Sequence, residues 1–235
     1  MFDITIEQKT LMKALEYLEP TVGKNSNNLG DNCISMQTTG NGSVEMYTTN
    51  TVEFTKLAYE LSEKFDTPFI LRLTTRVSHS SCPVEMEDRK DVAIRDYEKN
   101  IAKYVMMPGN AKRRHPVVEA RSAALTEYAE NIHINRLEAG DDNAIGFITS
   151  STSYQYVKEV LGDQYPVMKL GMIWPMPEQK IKDFAASVEK LVIIEELDGF
   201  IEGHCKDLGI DCVGKEKFSC IDELSQNKVA QALDQ

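Results

Sequence analysis

The feature that most constrains this chain is the rhythm of residues 144–213, where four short apolar runs alternate with three amphipathic segments. The runs are AIGFIT, VMKLGMI, LVIIEE and IDCVG; between them stand SYQYVKEVL, PEQKIKDFAASV and FIEGHCKDL. Apolar runs of that length read as buried strands, and apolar residues three and four apart read as helices. Strands alternating with helices require a mainly parallel sheet with right-handed crossovers and helices on its faces. The near-continuous Val, Ile and Leu content fits strands covered on both sides. The expected fold class is α/β with a parallel sheet.

The chain ahead of this segment has a different pattern. Phe2, Ile4 and Ile6 alternate, and Leu11, Ala14, Leu15 and Leu18 follow at helical spacing until Pro20. Two β-rich runs, Cys33 to Thr38 and Ser43 to Thr48, are joined through Gly40-Asn41-Gly42, a strong hairpin signal. Together these predict a β-α-β-β unit. From Thr55, Leu57, Ala58, Leu61 and Phe65 make an amphipathic helix that ends at Asp66-Thr67-Pro68, and the apolar run FILRL then reads as a strand. Residues from about 77 to 115 are polar and irregular, a connecting arm carrying the basic cluster Lys112, Arg113, Arg114 and His115. Pro116 suits the first turn of a helix whose apolar positions include Val117, Val118, Leu125 and Tyr128.

Composition narrows the function classes. Asp and Glu outnumber Lys and Arg 37 to 26 in 235 residues, a formal charge of -11 that argues against a broad grip on nucleic acid. No run approaches the length of a membrane helix, and MFDITIEQK lacks the pattern of a secretory leader, so the expected location is the cytoplasm. Cysteines 33, 82, 205, 212 and 220 are scattered, without the close pairs that share a metal or a redox couple. They read as small hydrophobes.

Several motifs invite chemistry. Gly23-Lys24 lacks the earlier glycine and following hydroxyl of a phosphate loop, so it is a turn. Gly40 and Gly42 lack the third glycine and the helix of a dinucleotide fingerprint. Thr149, Ser150 and Ser151 open the run Thr149 to Ser153 where a strand gives way to a helix, a place that holds either an anion or a helix cap. Arg72, Thr74, Thr75, Arg76, Ser78 and His79 are the densest polar cluster. Two guanidiniums and an imidazole there could hold a carboxylate or phosphate, or form salt bridges to the arm. Glu195 and Glu196 read as an acidic complement to a helix dipole, and His204 as a surface histidine whose neighbour Glu202 does not share its face. No catalytic residue and no metal ligand is assigned.

Long runs carry a resemblance to a known family: LAYELSEKFDTPFILRLTTRVSHS, YEKNIAKYVMMPGNAKRRHPVVE, YQYVKEVLGD, KLGMIWPMPEQKIKDFAASVEKL and IEELDGFIEGHCKDLGIDCVGKE. Over about residues 56–233 the chain resembles the alpha subunit of indolepyruvate:ferredoxin oxidoreductase. That resemblance implies an enzyme using thiamine diphosphate, Mg and iron-sulfur clusters to turn arylpyruvates into aryl-acetyl-CoA, with ferredoxin and an oxidoreductase beta subunit as partners. It also implies that residues 136–235 form a transketolase C-terminal-type domain, 81–135 an arm and helix, and 56–80 the end of a pyrimidine-binding domain. Residues 1–55 resemble the opening β-α-β-β of a bacterial DNA polymerase sliding clamp, so the chain reads as a chimera.

The groups such an enzyme needs are not matched. Gly30-Asp31, Gly140-Asp141 and Gly162-Asp163 lack the next glycine of a Gly-Asp-Gly motif, and the cysteine spacing is not that of a ferredoxin-type cluster. The expectation is a partial alpha subunit, inactive as an isolated chain, binding none of these cofactors fully and associating with itself through exposed apolar surface. The alternatives are a noncatalytic scaffold with a clamp-like front, and a small-ligand binder using Thr149 to Ser153 and Arg72 to His79.

Overall fold

In the computed structural model of the protein, the described residues are 36–38, 44–46, 50–79, 94 and 96–233; for residues 36–50 and for Arg76 the description is of backbone alone. The first strand and helix expected at residues 2–18, the Gly23-Lys24 turn, Gly30-Asp31 and Gly40 to Gly42 lie outside them. The two arms of the expected hairpin are within: β1 (Met36–Thr38) and β2 (Val44–Met46) pair antiparallel, Met36 opposite Met46.

Helix α1 (Asn50–Phe65) follows as the spacing predicts, starting five residues ahead of Thr55. The chain leaves it at Asp66, whose φ of 52° is the left-handed turn that ends many helices. The expected strand at Phe69 to Leu73 is absent: that stretch is irregular, and Ile70 is 92% exposed. A strand needs a neighbour for its backbone groups, and none among the described residues pairs with this run. Thr74 caps the single turn α2 (Thr75–Ser78). A second short turn, α3 (Ile101–Tyr104), is capped by Asn100, whose side chain accepts from the Lys103 N–H at 3.0 Å.

Helix α4 (Pro108–Asn131) corrects the placement of Pro116. The helix starts eight residues earlier, with Pro108 in the first turn where a missing N–H costs nothing, and Pro116 lies inside it. Lys112 to His115 are therefore helical rather than part of an arm. Leu125 and Ala129 are buried against Leu61, Ile132 and Met172, with Phe65, Phe69 and Tyr128 alongside. Val117 and Val118 stay exposed, so only the second half of α4 is anchored.

The predicted α/β segment is a four-stranded sheet of order β3-β5-β4-β6, formed by β3 (Arg136–Glu138), β4 (Ile145–Ser150), β5 (Val167–Leu170) and β6 (Lys190–Ile194). The central pairings are parallel: Thr149 lies beside Lys169 on one side and Ile194 on the other. Strand β3 adds an antiparallel edge, Arg136 opposite Lys169, that three polar-flanked residues did not announce. The fourth apolar run supplies one parallel bridge, Val213 to Val192, instead of a strand.

Helices cover both faces. Helix α5 (Ser151–Leu161) and the C-terminal α8 (Gln226–Ala232) pack Tyr154, Val157, Leu161 and Val229 on Phe147, Val167, Val192 and Ile194. Helices α6 (Glu178–Ala186) and α7 (Phe200–Asp207) pack Ile181, Phe184, Ile201 and Cys205 on Ile148, Met168, Leu191 and Ile193. Alternate residues of each strand thus feed opposite cores, as a doubly covered sheet requires. Because α5 crosses one face while α6 and α7 cross the other, the chain diverges at the carboxyl end of β4. Open parallel sheets place ligand crevices at such a divergence.

Candidate functional site

At that divergence stand Thr149, Ser150 and Ser151. Thr149 is fully buried and its Oγ1 has no hydrogen-bond partner among the described residues. Ser150 is the N-cap of α5 by backbone geometry, yet its side chain makes no capping bond. Ser151 begins the helix at φ 51°, left-handed backbone that a side chain adopts only under strain. The capping that the sequence suggested for these hydroxyls is therefore not made by Ser150.

Beside Thr149, under α5, lies a polar cluster that the sequence did not reveal. The Tyr154 hydroxyl donates to Glu138 Oε1 at 2.7 Å; Arg136 Nε donates to the same oxygen at 3.1 Å, and its Nη2 donates to the Tyr154 hydroxyl at 3.1 Å. Lys158 Nζ bridges Glu138 Oε2 at 3.2 Å and Asp163 Oδ1 at 2.6 Å. Lys169 Nζ sits 4.4 Å from the centre of the Tyr154 ring. Burial, and then the charge of Arg136, pulls the Lys169 ammonium down to about 8. Burial and the Glu138 carboxylate push Tyr154 up to about 12. The tyrosine is a fixed hydrogen-bond donor at neutral pH, while the lysine is a cation held at some cost in a dry place. The signal was split among two short strands and a helix, each unremarkable alone.

The neighbouring loops are occupied by structural networks. Glu195, at the end of β6, accepts from the N–H groups of Ile201 and Glu202 at 2.9 Å each, so it caps α7 from outside the helix. Glu196 accepts from the Leu224 N–H. Glu202 holds Lys206 Nζ at 2.6 Å and the Lys215 N–H at 2.7 Å. The dipole-complement reading thus holds for Glu195. His204 is less exposed than a surface histidine: its Nε2 is covered and without a partner, and its ring lies 6.0 Å from that of Trp174.

Arg72 and His79 are both exposed, on the irregular segment and at the end of α2. Among the described residues, no hydrogen bond or ion pair joins them to Thr149, Ser150 or Ser151. The structure describes only the backbone of Arg76. The two candidate anion clusters therefore do not converge.

Cofactor fit can be judged from the groups present. The Gly140-Asp141 and Gly162-Asp163 turns meet each other: the Asp141 and Asp142 N–H groups donate to the carbonyls of Asp163 and Gln164, at 3.2 and 2.9 Å. Those backbone groups are engaged in loop pairing at the opposite end of the strands from Thr149, which does not fit a diphosphate cradle. Cys205 and Cys212 are buried, and burial pushes the Cys205 thiol up to about 12. Among the described residues, no group of three His, Cys, Asp or Glu side chains could hold a metal ion, and no helix is long and apolar enough to cross a membrane.

Comparison with known proteins places this architecture. No family model matches the chain. It is 32% identical over 163 residues to the indolepyruvate oxidoreductase subunit IorA of Archaeoglobus fulgidus, covering 67% of this chain and 26% of that protein. It is 31% identical over 198 residues to IorA of Thermococcus kodakarensis, covering 77% and 30%. The chain carries a partial IorA segment. It spans between a quarter and a third of the length of these IorA relatives. Among solved structures, it is similar to a 2-oxoglutarate:ferredoxin oxidoreductase from Magnetococcus marinus, with 16% identity, a TM-score of 0.44, and coverage of 55% of this chain and 23% of that one. The IorA relatives are oxidoreductase subunits.

Proposed function

We propose that this chain is part of the alpha subunit of a thiamine-diphosphate-dependent indolepyruvate:ferredoxin oxidoreductase that makes aryl-acetyl-CoA, and that it does not turn over by itself. The IorA match over two thirds of the chain carries this reading. The engagement of the Asp141 and Asp142 N–H groups in loop pairing, away from any diphosphate cradle, supports the second half. On this reading residues 136–235 are a transketolase-type α/β domain and tail that pack against other domains or subunits, with ferredoxin and a beta subunit as partners in the full assembly. Purified chain supplied with indolepyruvate, coenzyme A, thiamine diphosphate, Mg and ferredoxin is expected to give no aryl-acetyl-CoA. Product formation without another subunit would refute the proposal.

One observation favours a second role within the same segment. Thr149 Oγ1, buried and without a hydrogen-bond partner among the described residues, supports the reading that the Thr149 to Ser151 junction takes a small anion. Binding there would stabilise the fold in proportion to ligand concentration. A melting temperature unmoved by thiamine diphosphate, coenzyme A and arylpyruvate alike would remove this role.

A further inference from the structure

A local surplus of positive charge lies away from the sheet, where α1, α3 and α4 meet. Asp66, in the left-handed turn after α1, receives Lys103 Nζ on Oδ1 at 2.6 Å. Its Oδ2 faces Arg114 Nη2 at 3.9 Å and Arg121 Nη2 at 3.7 Å. The two arginines are seven residues apart on α4, two helical turns, so they present one face. The Lys103 hydrogen bond, with the three cations around it, holds the Asp66 carboxyl below its ordinary range. Among the described residues these three cations share one carboxylate, neither arginine is within hydrogen-bond distance of it, and no hydrogen bond engages either guanidinium, whose side chains are 25% and 16% exposed. A guanidinium so placed can still turn its fork to a second carboxylate.

The rim of this cluster is apolar. Tyr104, Val105, Met106 and Met107 are exposed between α3 and α4, and Val118 is exposed on α4 between the two arginines. Arg, Tyr and Met beside one another are the residues enriched where proteins meet, and a free inorganic anion would leave that rim in water. The chain's formal charge of -11 repels an extended nucleic acid, so the local surplus of positive charge selects a short acidic stretch rather than a polyanion.

We propose that Lys103, Arg114 and Arg121 form a docking site for an acidic, partly apolar segment of a different protein chain, with Asp66 as the internal carboxylate that the incoming one displaces. This goes beyond the oxidoreductase reading and does not depend on it, since the site uses neither the sheet nor a cofactor. The test is fluorescence polarisation with the full chain and a labelled hexapeptide of paired glutamates and leucine, against the same peptide with glutamine for glutamate. Wild type is expected to bind only the acidic peptide, more weakly as salt rises. The double variant Arg114→Gln, Arg121→Gln should lose about ten-fold or more in affinity, and Asp66→Asn should gain several-fold because the competitor is removed. The gain is the decisive arm: a purely structural cluster would weaken with either change, and that result would overturn the proposal. Equal displacement of the peptide by inorganic pyrophosphate would assign the cluster to a small anion and overturn it too. So would sedimentation in which wild type self-associates and the double variant does not, since a second copy would then be the occupant.

Discussion

The sheet and the segment leading to it use apolar residues in opposite ways. Between Arg136 and Leu233, Phe147, Ile148, Met168, Ile181 and Ile193 are all sealed from water by helices on both faces. Between Phe69 and Val118, Ile70, Ile94, Tyr97, Met106 and Met107 face solvent. What separates the two is the presence of a second layer: an apolar run becomes a core only where another element covers it. The leading segment meets the body at Phe69 and through α4, whose last two turns hold Leu125 and Ala129 against Leu61 and Met172. Exposed apolar surface of that kind marks an interaction face.

The sharpest way to break this comparison is to truncate one side chain in each region. Ile193, 1% exposed between β4 and the α6 and α7 layer, should cost about 2–5 kcal/mol as Ile193→Ala, from lost transfer energy and the cavity left behind. Met106, 56% exposed, should change stability by no more than about 0.5 kcal/mol as Met106→Ala. Urea denaturation followed by circular dichroism gives both numbers. Similar losses would mean that the leading segment has a core of its own and that the contrast is false.

A smaller effect separates the two regions through their asparagines. Asn135 is buried where α4 joins the sheet: its Oδ1 accepts from the Gly171 and Met172 N–H groups at 3.0 and 2.8 Å, and its Nδ2 donates to the Ala129 carbonyl at 3.2 Å. Gly171 needs its missing side chain here, because a Cβ would fall 2.6 Å from the Ile134 carbonyl oxygen. Asn135→Ala strands buried backbone groups and should cost about 2–3 kcal/mol. Asn100, the exposed cap of α3, should cost about 1 kcal/mol or less as Asn100→Ala. Equal costs from chemical denaturation would show the joint to be no more important than a surface cap.

These elements also show where the sequence was legible. The parallel pairing of β4, β5 and β6 could be read because each strand is buried on both faces and so is mostly apolar, Lys169 being the exception within β5. Helix α1 could be read because its face repeats at regular spacing. The run FILRL was misread as a strand because apolar content alone cannot say whether a pairing neighbour exists. The start of α4 was missed because Pro116 looked like a beginning, while packing at Leu125 and Ala129 carries the helix through it. Of the site, Thr149 to Ser151 could be placed from the strand-to-helix change. The Arg136, Tyr154, Lys158 and Lys169 cluster could not, since its members come from three elements whose register only the folded sheet supplies. Likewise Asp66 looked like a helix terminator, and nothing local tied it to Arg114 and Arg121.

The smallest expected effect sets Lys169 in the sheet against Lys103 in the leading segment. Burial and Arg136 lower Lys169 to about 8 in the folded chain from its ordinary 10.5, so the unfolded chain holds this proton more tightly. Stability therefore rises with pH once the folded group begins to release its proton, and the rise continues toward 10.5. Between pH 8 and 9 it amounts to about 1 kcal/mol. From about pH 8 upward the buried Cys205 thiol, pushed up to about 12, and Cys212, also raised by burial, act the other way, because the unfolded chain loses protons that the folded chain keeps. Tyr154 does the same above pH 10. The lysine's share is therefore the difference between wild type and Lys169→Met, which keeps the thiols. Lys103 is raised above 10.5 by its hydrogen bond to Asp66, so it stays charged in both states from about pH 8 to 9 and contributes no slope. From pH 8 to 9, wild type and Lys103→Met should gain about 1 kcal/mol of stability relative to Lys169→Met, read from urea denaturation. No difference between wild type and Lys169→Met would show that the ammonium under Tyr154 is solvated as well as the one on the arm, and that this face of the sheet is not the dry site described.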